Sequence, residues 1–139
     1  ARFLKAFSRV RATDGCACGR ALRTKKTVVI PDVQKDPEFF PYRKEAEKAR
    51  LRAVQSTPLI TPVGELVGVV STHFANAYQP TPIEISTLQD YAPLAAGHLI
   101  SLLRGIPLSA RAEEMNRRLF AELANIQDKR ASSCVRQGQ

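Results

Sequence analysis

Residues 52–74, RAVQSTPLITPVGELVGVVSTHF, constrain the fold more than any other stretch of the 139-residue chain. Two apolar runs flank TPVGE, where Pro62 takes a favoured turn position and Gly64 closes the turn. The pattern predicts a hairpin. Its first arm, LRAVQSTPLI, contains Pro58, which removes a ladder donor and points to an edge, a bulge or a bend. In the second arm Leu66, Gly68, Val70, Thr72 and Phe74 share one face, while Val67, Val69, Ser71 and His73 share the other. Both faces are largely apolar, which predicts a central strand with helices on at least one side.

The flanking sequence supplies the rest. Phe3, Leu4, Phe7 and Val10 line one face of a short helix over residues 2–10. TDGCACG reads as a turn and loop, and TVVIPDV as a short strand stopped by Pro31. Asp36 is a candidate N-cap with Pro37 behind it, and the better helix runs from Tyr42 to Leu51. Thr81, Pro82 and Glu84 form a capping-box start. Leu88, Tyr91, Ala92, Ala95, Leu99, Leu102 and Leu103 follow at helical spacing, kinked at Pro93 and ended by Gly105 and Pro107. A further helix over 109–130 carries Ala112, Met115, Leu119, Leu123 and Ile126 on one face, suited to pairing helices. Residues 131–139 read as a disordered tail. The sequence lacks an internal repeat. The order is that of one mixed α+β domain.

Charge and cysteines narrow the function classes. The net charge is +8, and residues 1–55 hold 14 Lys and Arg against 6 Asp and Glu, so the surplus arises there. Neither a basic helix nor an aromatic stacking platform accompanies it, so a solvated face is expected rather than a nucleic-acid surface. No apolar run is long enough to cross a bilayer, and no signal peptide opens the sequence. The three cysteines, Cys16, Cys18 and Cys134, read as free thiols in a reducing cytoplasm. CxC with two distant histidines is too sparse for a metal site.

The loop CGRA at Cys18–Ala21, the pairs at Pro31–Val33 and Asp36–Pro37, STPL at Ser56–Leu59 and GELVG at Gly64–Gly68 occur in an order and spacing that resembles the GAF domain family. The nearest subtype is that of bacterial sensory histidine kinases and related signalling proteins. The resemblance spans about residues 3–103. It implies a six-stranded antiparallel sheet flanked by helices, with a concave pocket between the sheet and the loops after Cys18 and Asp32. It further implies that the family's opening helix and first strands precede Ala1. The domain boundaries that follow are 1–104 for a GAF-like domain, 105–130 for an extra C-terminal linker or signalling helix, and 131–139 for the tail. The implied role is a small-molecule-sensing, non-catalytic module of a cytoplasmic signal-transduction protein, acting through a homodimer of C-terminal helices on an output domain elsewhere. The sequence names neither the ligand nor any cofactor. The alternative is a degenerate module that only dimerises.

Eight residues are candidates to line the pocket: Cys18, Asp32, Phe39, Phe40, Tyr42, Ser56, Ser71 and His73. Ser71 and His73 form a polar pair on one strand face. Phe39, Phe40 and Tyr42 are placed to form a lid, with at least one Phe packing in the core. Asp32 and Asp36 suit turn and cap roles as well as acid or cation chemistry. Catalysis finds less support. The Cys18 loop resembles that of the GAF-type free methionine sulfoxide reductase, but that enzyme's partner cysteine is missing from LRAVQS. Bilin-binding relatives carry Cys followed by His, and here Ala17 and Gly19 follow the cysteines. Haem ligation would rest on His73 alone. No nucleophile–base pair or phosphate-binding loop is evident.

Overall fold

The computed structural model describes residues 9–105 together with Glu114, Arg117, Arg118 and Ala121. The chain divides into two units, 1–100 and 101–139. In the first, helix α1 (Ala17–Thr24) leads into strand β1 (Val28–Ile30). A short 3-10 helix (Phe40–Tyr42) runs into α2 (Arg43–Lys48). The hairpin β2 (Ala53–Ile60) and β3 (Leu66–Phe74) follows, then α3 (Pro82–Leu103), whose last three residues belong to the second unit. The described strands form one antiparallel sheet in the order β1-β2-β3.

The hairpin forms as its turn chemistry dictates. The Gly64 N–H donates to the Thr61 carbonyl at 2.8 Å, and Gly64 adopts φ 86, a left-handed conformation that other residues reach only with strain. The Thr61 hydroxyl accepts the Glu65 N–H at 3.0 Å, pinning the turn from its other side.

β2, not β3, is the central strand among the described residues. Its residues 53–59 are buried, whereas β3 is half-exposed along its length and has β2 as its only described neighbour. Val67 and Val70 of β3 pack with α3 on one face of the sheet, and α1 lies over Ser71 on the other. Pro58 is accommodated in the central strand because β1 is short. The β1–β2 ladder runs only from Val28↔Ser56 to Ile30↔Val54, so Pro58 needs no donor toward β1. A bulge between Leu59 and Ile60 follows immediately.

Each sheet face has its own apolar cluster. On one face Cys16, Ala17, Ile30, Val33, Phe39, Ala46, Leu51 and Val54 are buried together. Full burial of each Ile, Val, Leu or Phe here contributes about 1.5–3 kcal/mol. On the other, Leu59 packs with Ala92 and Ala96 of α3, joined by Val67, Val70, Ala95 and Leu99. The small residues let the helix sit close. A Cβ added at Gly68 would lie 3.3 Å from Leu99.

TDGCACG is only partly the loop that its composition suggests. α1 begins at Ala17, with Cys16 in the extended N-cap conformation. Small residues decide this. Ala17, Gly19 and Ala21 are buried, and a Cβ at Gly19 would strike the carbonyl oxygens of Arg11 and Asp14. α1 ends at Lys25 in the left-handed region, whose N–H bonds the Ala21 carbonyl at 2.9 Å.

The capping box at α3 is present: Thr81 N–H donates to the Glu84 carboxylate at 2.8 Å and Glu84 N–H to the Thr81 hydroxyl at 3.3 Å. Pro93 lies inside the continuous helix, and Gly105 follows its end with φ 66. The expected helix over 2–10 and the tail 131–139 lie outside the described residues, apart from Arg9 and Val10, which are not helical. Of the helix expected over 109–130, the four described residues are helical, and Glu114 accepts hydrogen bonds from Arg117 and Arg118.

Candidate functional site

Four of the eight candidates come together between α1 and the sheet. Ser56 and Ser71 are direct cross-strand partners, and their hydroxyl oxygens lie 2.8 Å apart. The Cys18 Sγ projects from the first turn of α1 onto this pair, 3.1 Å from Ser71 Oγ and 3.6 Å from Ser56 Oγ. Val54↔His73, the next ladder pair on the same face, places His73 close enough to act on the Cys18 charge. The strand alternation that makes Ser71 and His73 neighbours thus carries them to α1.

The electrostatics favour a thiolate at Cys18. Its pKa is lowered, first by a hydrogen bond from Cys16 and then by the Ser71 and Ser56 hydroxyls, against the opposing cost of burial. Cys16 moves the other way: the hydrogen bond that it donates to Cys18, its burial and the nearby Asp14 all hold it protonated. His73 stands exposed at the rim, and the desolvation of its ring lowers its pKa while the Cys18 charge opposes that shift.

Cys16 is the partner that sequence reasoning left off the list. It is 1% exposed and both thiols are free. The signal was its spacing of two from Cys18, which sets Cys16 at the N-cap when Cys18 lies in the first turn of α1.

The remaining candidates serve other ends. Phe39 is a core residue, 2% exposed, and Tyr42 packs against the same cluster with ring centroids 5.6 Å apart. Tyr42 lies near Cys16 and Asp14, and burial raises its pKa first, followed by those two groups. Phe40 is 68% exposed beneath the Arg43 guanidinium, whereas its neighbour Phe39 is sealed in the core. Asp32 takes the turn role. It accepts the Gln34 N–H at 3.0 Å and an Arg52 ion pair at 2.8 Å, and that hydrogen-bonded ion pair is the main cause of its lowered pKa. Asp36 likewise accepts the Phe39 N–H at 3.0 Å and the Arg20 guanidinium at 2.8 Å.

An open groove of about 470 Å³ lies elsewhere, lined by Lys25, Thr27, Thr57, Ile60, Gln89 and Pro93 among others, and by none of the eight candidates. Among the described residues no group of three or more His, Cys, Asp or Glu is placed to hold a metal. No helix among them is long and apolar enough to cross a membrane.

An antiparallel sheet with α1 over a polar cross-strand pair on one face and a long helix on the other defines an α+β domain. The GAF domain model matches residues 1–99, and the chain belongs to the GAF domain family. GAF domains are, as a class, regulatory sensory modules. The fold is similar to that of the GAF domain region of a predicted membrane protein from Geobacter sulfurreducens PCA, with TM-score 0.55 and 13% identity, covering 68% of this chain and 60% of that one. A domain of a predicted two-component sensor histidine kinase from Sinorhizobium meliloti 1021 matches with TM-score 0.46 and 20% identity, over 57% of this chain and 54% of that one. The chain therefore spans less than two thirds of either structure. No curated protein matches it.

Proposed function

We propose that this GAF domain is a non-catalytic regulatory module of a cytoplasmic bacterial signal-transduction protein, taking a small molecule against the Cys18, Ser56, Ser71 and His73 cluster. The observation that supports this is the cluster itself: three hydrogen-bonding side chains meet where α1 crosses the sheet, beside a core that is otherwise apolar. Polar groups so placed fix the orientation of a ligand whose remainder lies on apolar walls. Ligand contacts shift the balance between two arrangements of α3 and the helix after it, and so a homodimer and an output domain.

Native mass spectrometry of the purified chain, followed by titration with whatever co-purifies, tests this. Binding that is lost in a Ser56→Ala/Ser71→Ala variant with native circular dichroism supports the site. Undiminished binding in that variant overturns it.

A dimerisation-only role is the second reading. It is favoured by Ile83, Leu102 and Leu103, which are 76%, 68% and 72% exposed on α3. A dimer without ligand, dissociated by Leu102→Glu/Leu103→Glu, would establish it in place of sensing.

A further inference from the structure

Two thiols with unlike surroundings stand at the start of α1. Cys16 is sealed from solvent at the N-cap, while Cys18, two residues on, is only part-buried. Cα atoms two apart in a helical turn lie about 5.5 Å from each other, within the span of a disulfide. The Cys18 sulfur meets the Ser71 hydroxyl at 3.1 Å and the Ser56 hydroxyl at 3.6 Å, and it sits in the first turn of an eight-residue helix, where the backbone N–H groups favour negative charge. A small oxidant thus meets the sulfur that is best solvated as an anion, and the second sulfur waits behind it.

We propose that Cys18 is a peroxide-reactive thiolate and Cys16 its resolving thiol, so that the domain carries a reversible disulfide switch across the N-terminus of α1. In the first step the Cys18 thiolate attacks one oxygen of a hydroperoxide. An S–O bond forms, the O–O bond breaks, sulfur is oxidised to the sulfenic acid, and the peroxide is reduced to water or an alcohol after taking up a proton. In the second, the Cys16 sulfur attacks the sulfenic sulfur. The S–S bond forms, the S–O bond breaks, and water leaves with the Cys16 proton. A dithiol reverses the pair by exchange. Once joined to Cys16, the Cys18 sulfur is no longer an anion for the serine hydroxyls to solvate, which changes the hydrogen bonding that ties α1 to β2 and β3. The switch deepens the proposed regulatory reading by naming hydroperoxides as a signal, and it rests on that reading only for its consequence.

The chemistry is read on one peptide. Arg11 and Arg20 bracket both thiols, so trypsin releases residues 12–20 as a unit. The full chain carrying Cys134→Ser is treated with stoichiometric hydrogen peroxide at neutral pH, quenched and digested. The expected result is a 12–20 peptide that has lost two hydrogens and regains them with dithiothreitol. With Cys16→Ser, the expected product is instead a sulfenic acid at Cys18, trapped by dimedone. Ser71→Ala, which removes one hydrogen bond to a charged acceptor, slows Cys18 oxidation about tenfold. The proposal is overturned if the peptide keeps both thiols, if Cys18→Ser leaves the oxidation rate of Cys16 at the unmutated level, or if the disulfide forms between chains. Should Cys16→Ser fail to fold, the peptide mass of the Cys134→Ser protein and the Ser71→Ala rate decide alone. None of these readouts involves ligand binding, so the switch and the ligand site fail separately.

Discussion

The Ser56 and Ser71 hydroxyls face one another across β2 and β3 at 2.8 Å, with the Cys18 sulfur resting on both. A sulfur that accepts a hydroxyl hydrogen gains most when it is charged, since hydrogen bonds to an ionised acceptor are about twice as strong as neutral ones.

The acidity of Cys18 follows. Its pKa falls to about 5, with the Cys16 hydrogen bond as the first cause and the serines next. Iodoacetamide labelling of the 12–20 peptide should persist at Cys18 down to mildly acidic pH and fade as pH falls through about 5. The sign for stability is that of any depressed acid. The contribution is complete above the ordinary thiol value of 9.0 and is lost as pH falls through the folded value. A labelling midpoint near 9 would contradict the arrangement.

Asp36 ties two segments with one carboxylate. It holds the Phe39 N–H and the Arg20 guanidinium, with both side chains of the ion pair about four-fifths buried. Asp36→Ala leaves a largely buried guanidinium without its main partner and an open N–H, and should cost about 2–4 kcal/mol. Urea denaturation should show the drop as a lower midpoint with an unchanged slope.

Gly19 is required for space. A Cβ there meets the backbone oxygens of Arg11 and Asp14, neither of which can swing away as a side chain would. Gly19→Ala should destabilise by about 1–3 kcal/mol and disturb the placement of Cys18 beside it. Thermal unfolding measures the first effect and Cys18 labelling the second.

Gln55 points the other way. It sits in β2 at 3% exposure, and its amide nitrogen has no hydrogen-bond partner among the described residues. Gln55→Met removes that unsatisfied donor at similar volume, and should leave stability unchanged or raise it by about 1 kcal/mol. A fall of that size in the denaturation midpoint would show that the amide is satisfied in solution.

The hairpin, its turn and the capping box at Thr81 and Glu84 were readable because each depends on neighbours in sequence. The pairing of Ser71 with His73 on one face was readable for the same reason. Which of the described strands lies centrally was not, since Leu66–Phe74 is apolar enough for either place and the pairing of β2 with β1 joins segments far apart in sequence. The start of α1 was obscured by Gly15 and Gly19, residues that suggest a loop but here serve close packing against Glu38 and Asp14. Phe39 and Phe40 are adjacent and chemically identical, yet one is sealed in the core and the other covers a guanidinium. Composition does not separate them.

The alternation of β2 places the two faces of the domain one peptide plane apart. Ser56 meets Cys18 beneath α1, and its neighbour Thr57 accepts a hydrogen bond from Thr27 at 3.3 Å, while Thr27 in turn accepts one from Gln89 of α3 at 3.0 Å. One strand thus touches the sulfur through one residue and, through Thr27, the helix α3 through the next, so the two sides of the sheet meet at adjacent positions of β2.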